Sequence, residues 1–429
     1  MLSLKGLREE SLDHQTKGLP LGAHISPAEV IDQGWSVLKG DLPFPLLVIK
    51  ESALEHNLSE MAGWCARNNL LIAPHGKTTM CPQIFERQIA HGAWAMTVAN
   101  VSQAQVCLSF NVKRVLIANQ VAGASNLRSL SAAINGYPEV DFYCLIDSVA
   151  GVDHLAKGLE KYGARRPLNV LIEWGRNGWR TGVRSEDQGI EVHSEATRYP
   201  HSLRVCGFEA FEGLASSPDG SDAEARLVDE VLTGLKKLSL RLRDNWSGDD
   251  RPLLSVGGSA FLDRVLHLAQ QVSEEFQVLV RSGCYVTHDH GMYERKQSAA
   301  LLRAGDRERI PRFVPALELW SYVQSIPEEG RAFLTFGKRD CSHDADLPIP
   351  LFSLSAGDKI GLAREMRNTR VSNLNDQHAY LDLSGDEKLE IGDLVCCGIS
   401  HPCTAFDKWR VIPVVNDDYE VVDLYRTFF

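Results

Sequence analysis

Leu71-Ile72-Ala73-Pro74-His75-Gly76-Lys77-Thr78-Thr79 is an apolar run of strand length that stops at a proline and a glycine and delivers one lysine. On its own such a lysine reads as a surface residue on a loop, since short matches misfire often. At the exit of a buried strand, however, its ammonium is partly desolvated, which lowers a lysine's pKa and frees the amine to attack a carbonyl. The residues at the ends of the other strands decide between the two. Apolar runs fall near residues 93–99, 114–118, 140–147, 168–174, 203–209, 252–256 and 277–282. Segments of helical spacing lie between them, among them 82–91, 102–110, 149–162 and 222–243. Strand–helix alternation means parallel strands joined by crossover helices. Counted from Leu70 the strands number eight, which closes a (β/α)8 TIM-type barrel.

The barrel does not use the whole chain. With 429 residues there is room for a second domain. Leu46 to Lys50 reads as a ninth strand, followed by a helix over Glu51 to Asn69. Beyond about residue 305 the helical pattern fades. Ala316–Ser325, Arg331–Gly337, Lys359–Ala363, His378–Leu383, Asp393–Cys397, Trp409–Val415 and Tyr419–Tyr425 read as short strands. The expected architecture is therefore α/β: a barrel over 51–305, a mostly β domain over 306–429, and a 1–50 arm and strand joining that β domain.

A hydrophobic share of 44% and a charged share of 24% describe a soluble globular chain. The net charge of −11 disfavours nucleic acid or an anionic membrane as partner. Met1 to His24 has no apolar core of signal-peptide length, and no apolar run is long enough for a membrane span. Ten scattered cysteines, several inside apolar runs, then indicate a reduced, cytoplasmic protein.

In a parallel barrel the chemistry sits at the C-terminal strand ends. Lys77 comes after the first strand. Gly175-Arg176-Asn177-Gly178-Trp179-Arg180-Thr181-Gly182 comes after the fifth, Gly257-Gly258-Ser259 after the seventh, and Gly283-Cys284-Tyr285 after the eighth. Glycines after the last two strands let backbone N–H groups cradle a phosphate. A reactive lysine facing a phosphate cradle points to pyridoxal phosphate. Glu209 and Glu212, at the end of the sixth strand, are candidates to line the pocket. The run Lys236, Lys237, Arg241, Arg243 reads as the wet face of a helix.

Ser400-His401-Pro402-Cys403-Thr404 is a second constellation. Two apart in an extended segment, His401 and Cys403 project to one side. Imidazole and thiolate suit zinc, and two protein ligands leave positions open for substrate. His288-Asp289-His290 competes as a metal pair, and Cys341-Ser342-His343-Asp344 is a weaker third candidate.

Pro74-His75-Gly76-Lys77-Thr78 and Arg180-Thr181-Gly182-Val183 resemble the lysine and arginine–glycine segments of the D-threonine aldolase and D-serine dehydratase family, whose barrel is of the alanine racemase N-terminal type. Lys338-Arg339-Asp340, His378 and Ser400 through Trp409 resemble the C-terminal domain of eukaryotic-type D-serine dehydratases and their bacterial amino acid deaminase relatives. The resemblance runs from about residue 45 to the C-terminus. It implies a lyase using pyridoxal phosphate and zinc, or another divalent metal, on D-serine or a related D-3-hydroxy amino acid, giving a 2-keto acid and ammonia. It further implies that Lys77 holds the cofactor covalently, that Arg180 lies near its ring, and that Gly257, Gly258, Ser259, Gly283, Cys284 and Tyr285 surround its phosphate. His401 and Cys403 would hold the metal, in a homodimer whose β domains close the partner's barrel mouth. Cys284 stands where the family pattern leads one to expect a polar residue such as asparagine. The alternatives are retro-aldol cleavage, racemisation, or a non-catalytic pyridoxal phosphate carrier.

Overall fold

The computed structural model describes residues 2–216, 221–243, 246, 251–305, 310–384 and 388–429. The eight expected barrel strands are all present. With Leu46–Lys50 as β1, they are β2 (Leu71–Ile72), β3 (Met96–Val98), β4 (Arg114–Ile117), β5 (Asp141–Ile146), β6 (Leu168–Trp174), β7 (Leu203–Ala210), β8 (Leu253–Val256) and β9 (Gln277–Val280). They form one parallel sheet in the order β2-β9-β8-β7-β6-β5-β4-β3. The sheet curls until its ends meet: Trp94 N donates to Ile72 O (2.7 Å), and Thr97 N donates to Pro74 O (2.9 Å). Side chains in β4, β5, β6 and β8 are buried almost without interruption, as strands covered on both faces must be.

Helices cover the outside. The first, α1 (Glu51–Arg67), buries Leu54, Leu58, Met61 and Cys65 along one stripe. The next, α2 (Pro82–Ala90), has its proline in the first turn, where no N–H is needed. Asn100, Ser148 and Ser185 each accept a backbone N–H at the start of a later crossover helix, as capping residues do.

β1 leaves the barrel for the second domain, where it pairs antiparallel with β10 (Leu317–Glu328) and parallel with β16 (Val411–Val415). The rest of that antiparallel domain is β11 (Arg331–Leu334), β12 (Ile349–Leu354), β13 (Arg370–Leu374), β14 (Ala379–Asp382), β15 (Leu394–Gly398) and β17 (Val421–Arg426). Lys359–Ala363 is not the strand its apolar residues suggested. Ile360–Leu362 makes a tight turn with no buried side chain. Two strands had no clear sequence signal. β12 carries Pro350 in its interior with a register irregularity beside it, and β13 is a largely exposed edge strand. No helix among the described residues is long and apolar enough to cross a membrane.

Candidate active site

Register decides what meets at the barrel mouth. Because β2 pairs with β9, Leu71 with Leu279 and Ile72 with Val280, the loops that leave these strands run side by side. Lys77 lies in the single turn Gly76–Thr78 and is half-buried. A Cβ on Gly283 would stand 2.5 Å from His75 O and 2.7 Å from Thr78 Oγ1, so only glycine lets the eighth loop press against the lysine loop. Beside Lys77, burial pushes the His75 imidazole far below its ordinary pKa, and the nearby Lys77, Arg281 and Arg180 cations add to that. His75 Nδ1 is buried without a hydrogen-bond partner.

Behind this loop lies a charged cluster with little trace in the sequence pattern. Arg281, the first residue after β9, donates Nε to Ser255 Oγ (2.8 Å) and pairs with Glu209 inside the barrel. Burial pushes the Glu209 carboxyl up to about 8, against the pull of Arg281. Its second oxygen is buried without a partner. Burial also raises Glu173 on β6, which accepts from Gln120 Nε2 (2.6 Å) and Thr181 Oγ1 (2.8 Å). The one signal for Arg281 and Glu173 is a charged residue within or directly after an apolar strand. Arg180 is exposed and stacks its guanidinium over the Phe211 ring at 4.3 Å.

The glycine turn after β8 is already an anion site, and the anion is the chain's own. Gly257 N donates to Glu212 Oε2 (3.0 Å) and Gly258 N to Glu212 Oε1 (2.6 Å). Glu212 is 1% exposed. Ser259 Oγ lies 3.2 Å from Ser282 Oγ, which brings the seventh and eighth loops together. Tyr285 points elsewhere: its hydroxyl accepts from Gln88 Nε2 on α2 (3.4 Å), and its ring packs against Phe313.

The His401–Cys403 segment reaches the same mouth from the β domain. It is not extended. His401 takes a left-handed backbone (φ +63°) and Cys403 starts the one-turn helix Cys403–Phe406. The turn still brings the two side chains together in a hydrogen bond. Cys403 Sγ lies 3.3 Å from Thr78 Oγ1, although 325 residues separate them in sequence, and 3.4 Å from Cys284 Sγ. Cys284, His401 and Thr78 hold the Cys403 thiol far below its usual pKa, whereas Cys403 and burial push Cys284 far above. His401 is raised to about 9, first by Cys403 and then by Asp344, whose Oδ2 lies 2.5 Å from His401 Nδ1. Asp289 accepts the His401 N–H (2.8 Å) on one oxygen and Gly291 N and Tyr293 N on the other.

The competing metal candidates disperse. His288 meets Glu294 at 3.2 Å, and His290 is set against the Gly398 backbone, its Nδ1 buried without a partner. The Cys341 thiol turns to Gly337 O, and of that group only Asp344 comes to the mouth, on His401. Among the described residues no three His, Cys, Asp or Glu side chains form a metal cage.

The donor chemistry fits the expected groups in most respects. His75 Nδ1 and Glu209 Oε2 are unsatisfied beside a strand-end lysine, as groups awaiting a ligand would be. A thiolate beside an imidazole whose other nitrogen is held by a carboxylate is an N/S donor pair with its orienting partner. The misfit is at Gly257 and Gly258, whose N–H groups a phosphate would have to share with Glu212.

Residues 316–415 match the family model described as "Putative serine dehydratase domain". A D-threonine aldolase of Arthrobacter sp. is 25% identical over 378 residues, covering 87% of this chain and 89% of that one. A D-threo-3-hydroxyaspartate dehydratase of Delftia sp. (strain HT23) is 25% identical over 248 residues, 58% of this chain and 62% of that one. Solved variants of the Delftia enzyme include a histidine-to-alanine change and, two positions on, a cysteine-to-alanine change in the metal-free form. The D-threonine aldolase of Filomicrobium marinum shares the fold, with TM-score 0.73 at 22% identity over 92% of this chain and 97% of that one. SrLDC, solved with PLP and cadaverine, shares it at TM-score 0.58 and 17% identity over 94% of this chain and 95% of that one.

Proposed function

We infer that this chain, which belongs to the D-serine dehydratase and D-threonine aldolase family of alanine racemase-like fold, is a pyridoxal phosphate-dependent lyase acting as a dehydratase on a D-3-hydroxy amino acid such as D-serine. The observation that carries the reading is the contact of Cys403 with Thr78, which puts a His–Cys pair next to the lysine turn. A carrier or a racemase has no use for a thiolate and imidazole at that place. The histidine and cysteine whose replacements were solved in the Delftia dehydratase have the same two-residue spacing.

In this reading Lys77 Nζ is the covalent anchor and, once released, the base for the substrate's Cα proton. Pyridoxal phosphate bound there supplies the electron sink for the pair left at Cα. Ser259, Ser282 and the Gly283–Cys284 turn face the phosphate. Gly257 and Gly258 join them only if Glu212 withdraws its carboxylate. Arg180 lies near the cofactor ring. His401 and Cys403 hold a zinc ion, and Asp344 fixes the imidazole so that its free nitrogen faces the mouth. Zinc supplies a Lewis acid for the departing β-hydroxyl, a poor leaving group without help. In a homodimer a second subunit would close over a mouth that, within one chain, already joins Lys77 to Cys403.

A second reading has specific support. The sequence match that spans most of both chains is to a D-threonine aldolase, and retro-aldol cleavage could use the same lysine, cofactor and metal. The products decide. Purified protein loaded with pyridoxal phosphate and zinc is given D-serine and D-threonine. Keto acid with ammonia supports the dehydratase, and glycine with an aldehyde supports the aldolase. Full elimination after metal removal would sink the role given to His401 and Cys403.

A further inference from the structure

Cys284 lends its backbone to the eighth loop, yet its thiol faces His401 and Cys403. We propose that Cys284 is a third protein donor to the metal held by that pair, so that the site binds zinc through one imidazole and two sulfurs. The inference rests on the metal-binding role of His401 and Cys403 and deepens it.

The geometry carries it. Cys284 Sγ stands 3.4 Å from Cys403 Sγ, and both sulfurs adjoin Thr78 Oγ1, at 3.8 and 3.3 Å. Two thiolates on one tetrahedral zinc, each at about 2.3 Å, lie about 3.8 Å apart. The three side chains do not yet surround one point, but the sulfurs need to separate by only about 0.4 Å, which small side-chain rotations provide. The backbone of this loop cannot move away. It is pinned at Gly283, where the His75 carbonyl leaves no room for a side chain, and Cys284 itself is 4% exposed. The thiol therefore stays at the mouth whether or not a metal is bound. A metal completes an arrangement that otherwise leaves two sulfurs facing each other.

Three protein ligands with one open position is the usual catalytic zinc arrangement, and the fourth position would remain for the substrate hydroxyl. A second sulfur also makes the site selective, because soft thiolates favour zinc over magnesium or manganese.

The test reads the metal, not turnover. Cobalt(II) added to the metal-depleted holoenzyme should give a sulfur-to-metal charge-transfer band, and Cys284→Ser should lose about half of it. Zinc affinity, measured against a chromophoric chelator, should fall at least about tenfold in the same variant. X-ray absorption on wild-type zinc protein, which needs no variant to fold, should count two sulfurs. A full band with unchanged affinity in Cys284→Ser, or one sulfur in the wild type, overturns the role of Cys284 while leaving His401 and Cys403 in place. A wild type with no band at all overturns this inference and the metal reading together.

Discussion

The two glycine loops at the ends of β8 and β9 look alike in sequence and do opposite things in the fold. Gly257 and Gly258 turn both N–H groups onto Glu212, so the loop is closed by the chain's own carboxylate. Gly283 is pressed against His75 and Thr78, and the residue after it faces Cys403. The first loop is self-satisfied. The second is the seam between the lysine half of the mouth, built by the barrel, and the thiol half, brought by the β domain. A glycine at a strand end thus announces close approach of something, and the fold decides whether that is a carboxylate, a ligand or another loop.

The two halves should fail separately, which gives ways to break the comparison. Lys77→Ala has the largest expected effect. It should abolish both turnover and the visible absorbance of lysine-bound cofactor while leaving zinc content unchanged by metal analysis. Cys403→Ser should do the reverse, with zinc lost, the absorbance kept and elimination gone. Asp344→Asn touches neither cofactor nor metal directly. It should weaken zinc about 10- to 100-fold in a chelator competition and leave cofactor absorbance unmoved. Gly283→Ala lies on the seam. It should cost about 1–3 kcal/mol in urea unfolding and disturb both readouts, because its Cβ must displace the His75 carbonyl. If it shifts only one readout, the halves are not joined there.

The smallest effect is one of pH on stability. Burial pushes the His290 ring, which backs the thiol half, down to about 4 from 6.5. The unfolded chain therefore takes up a proton first as pH falls. Its contribution to stability is complete above about pH 6.5 and is lost between there and about pH 4. Urea midpoints measured across that window should fall with acid, and His290→Gln should flatten the fall.

The range of the interactions sets how far the sequence can be read. β2 to β9 are legible because each is an apolar run bounded by turn residues. Lys77 is legible because it ends one of them. Pairing of residues far apart is not. Nothing in the chain says that Glu212 will cap Gly257 and Gly258, or that Asp344 will hold His401 from 57 positions away. Arg281 and Glu173 escape notice because a charge next to an apolar run looks like its end. In the structure both are inward-facing groups, Arg281 matched by Glu209 and Glu173 by Gln120 and Thr181. The nearness of His401 and Cys403 is expected from their spacing for the wrong geometric reason, since a left-handed residue and a helical turn, not an extended strand, bring the two together.

The most direct test of the central claim tracks the products of D-serine in the protein loaded with pyridoxal phosphate and zinc, before and after chelation. Metal-assisted elimination predicts pyruvate and ammonia with zinc present and their loss on chelation, while the bound cofactor's absorbance persists. Unchanged pyruvate formation in rigorously metal-free protein would contradict it.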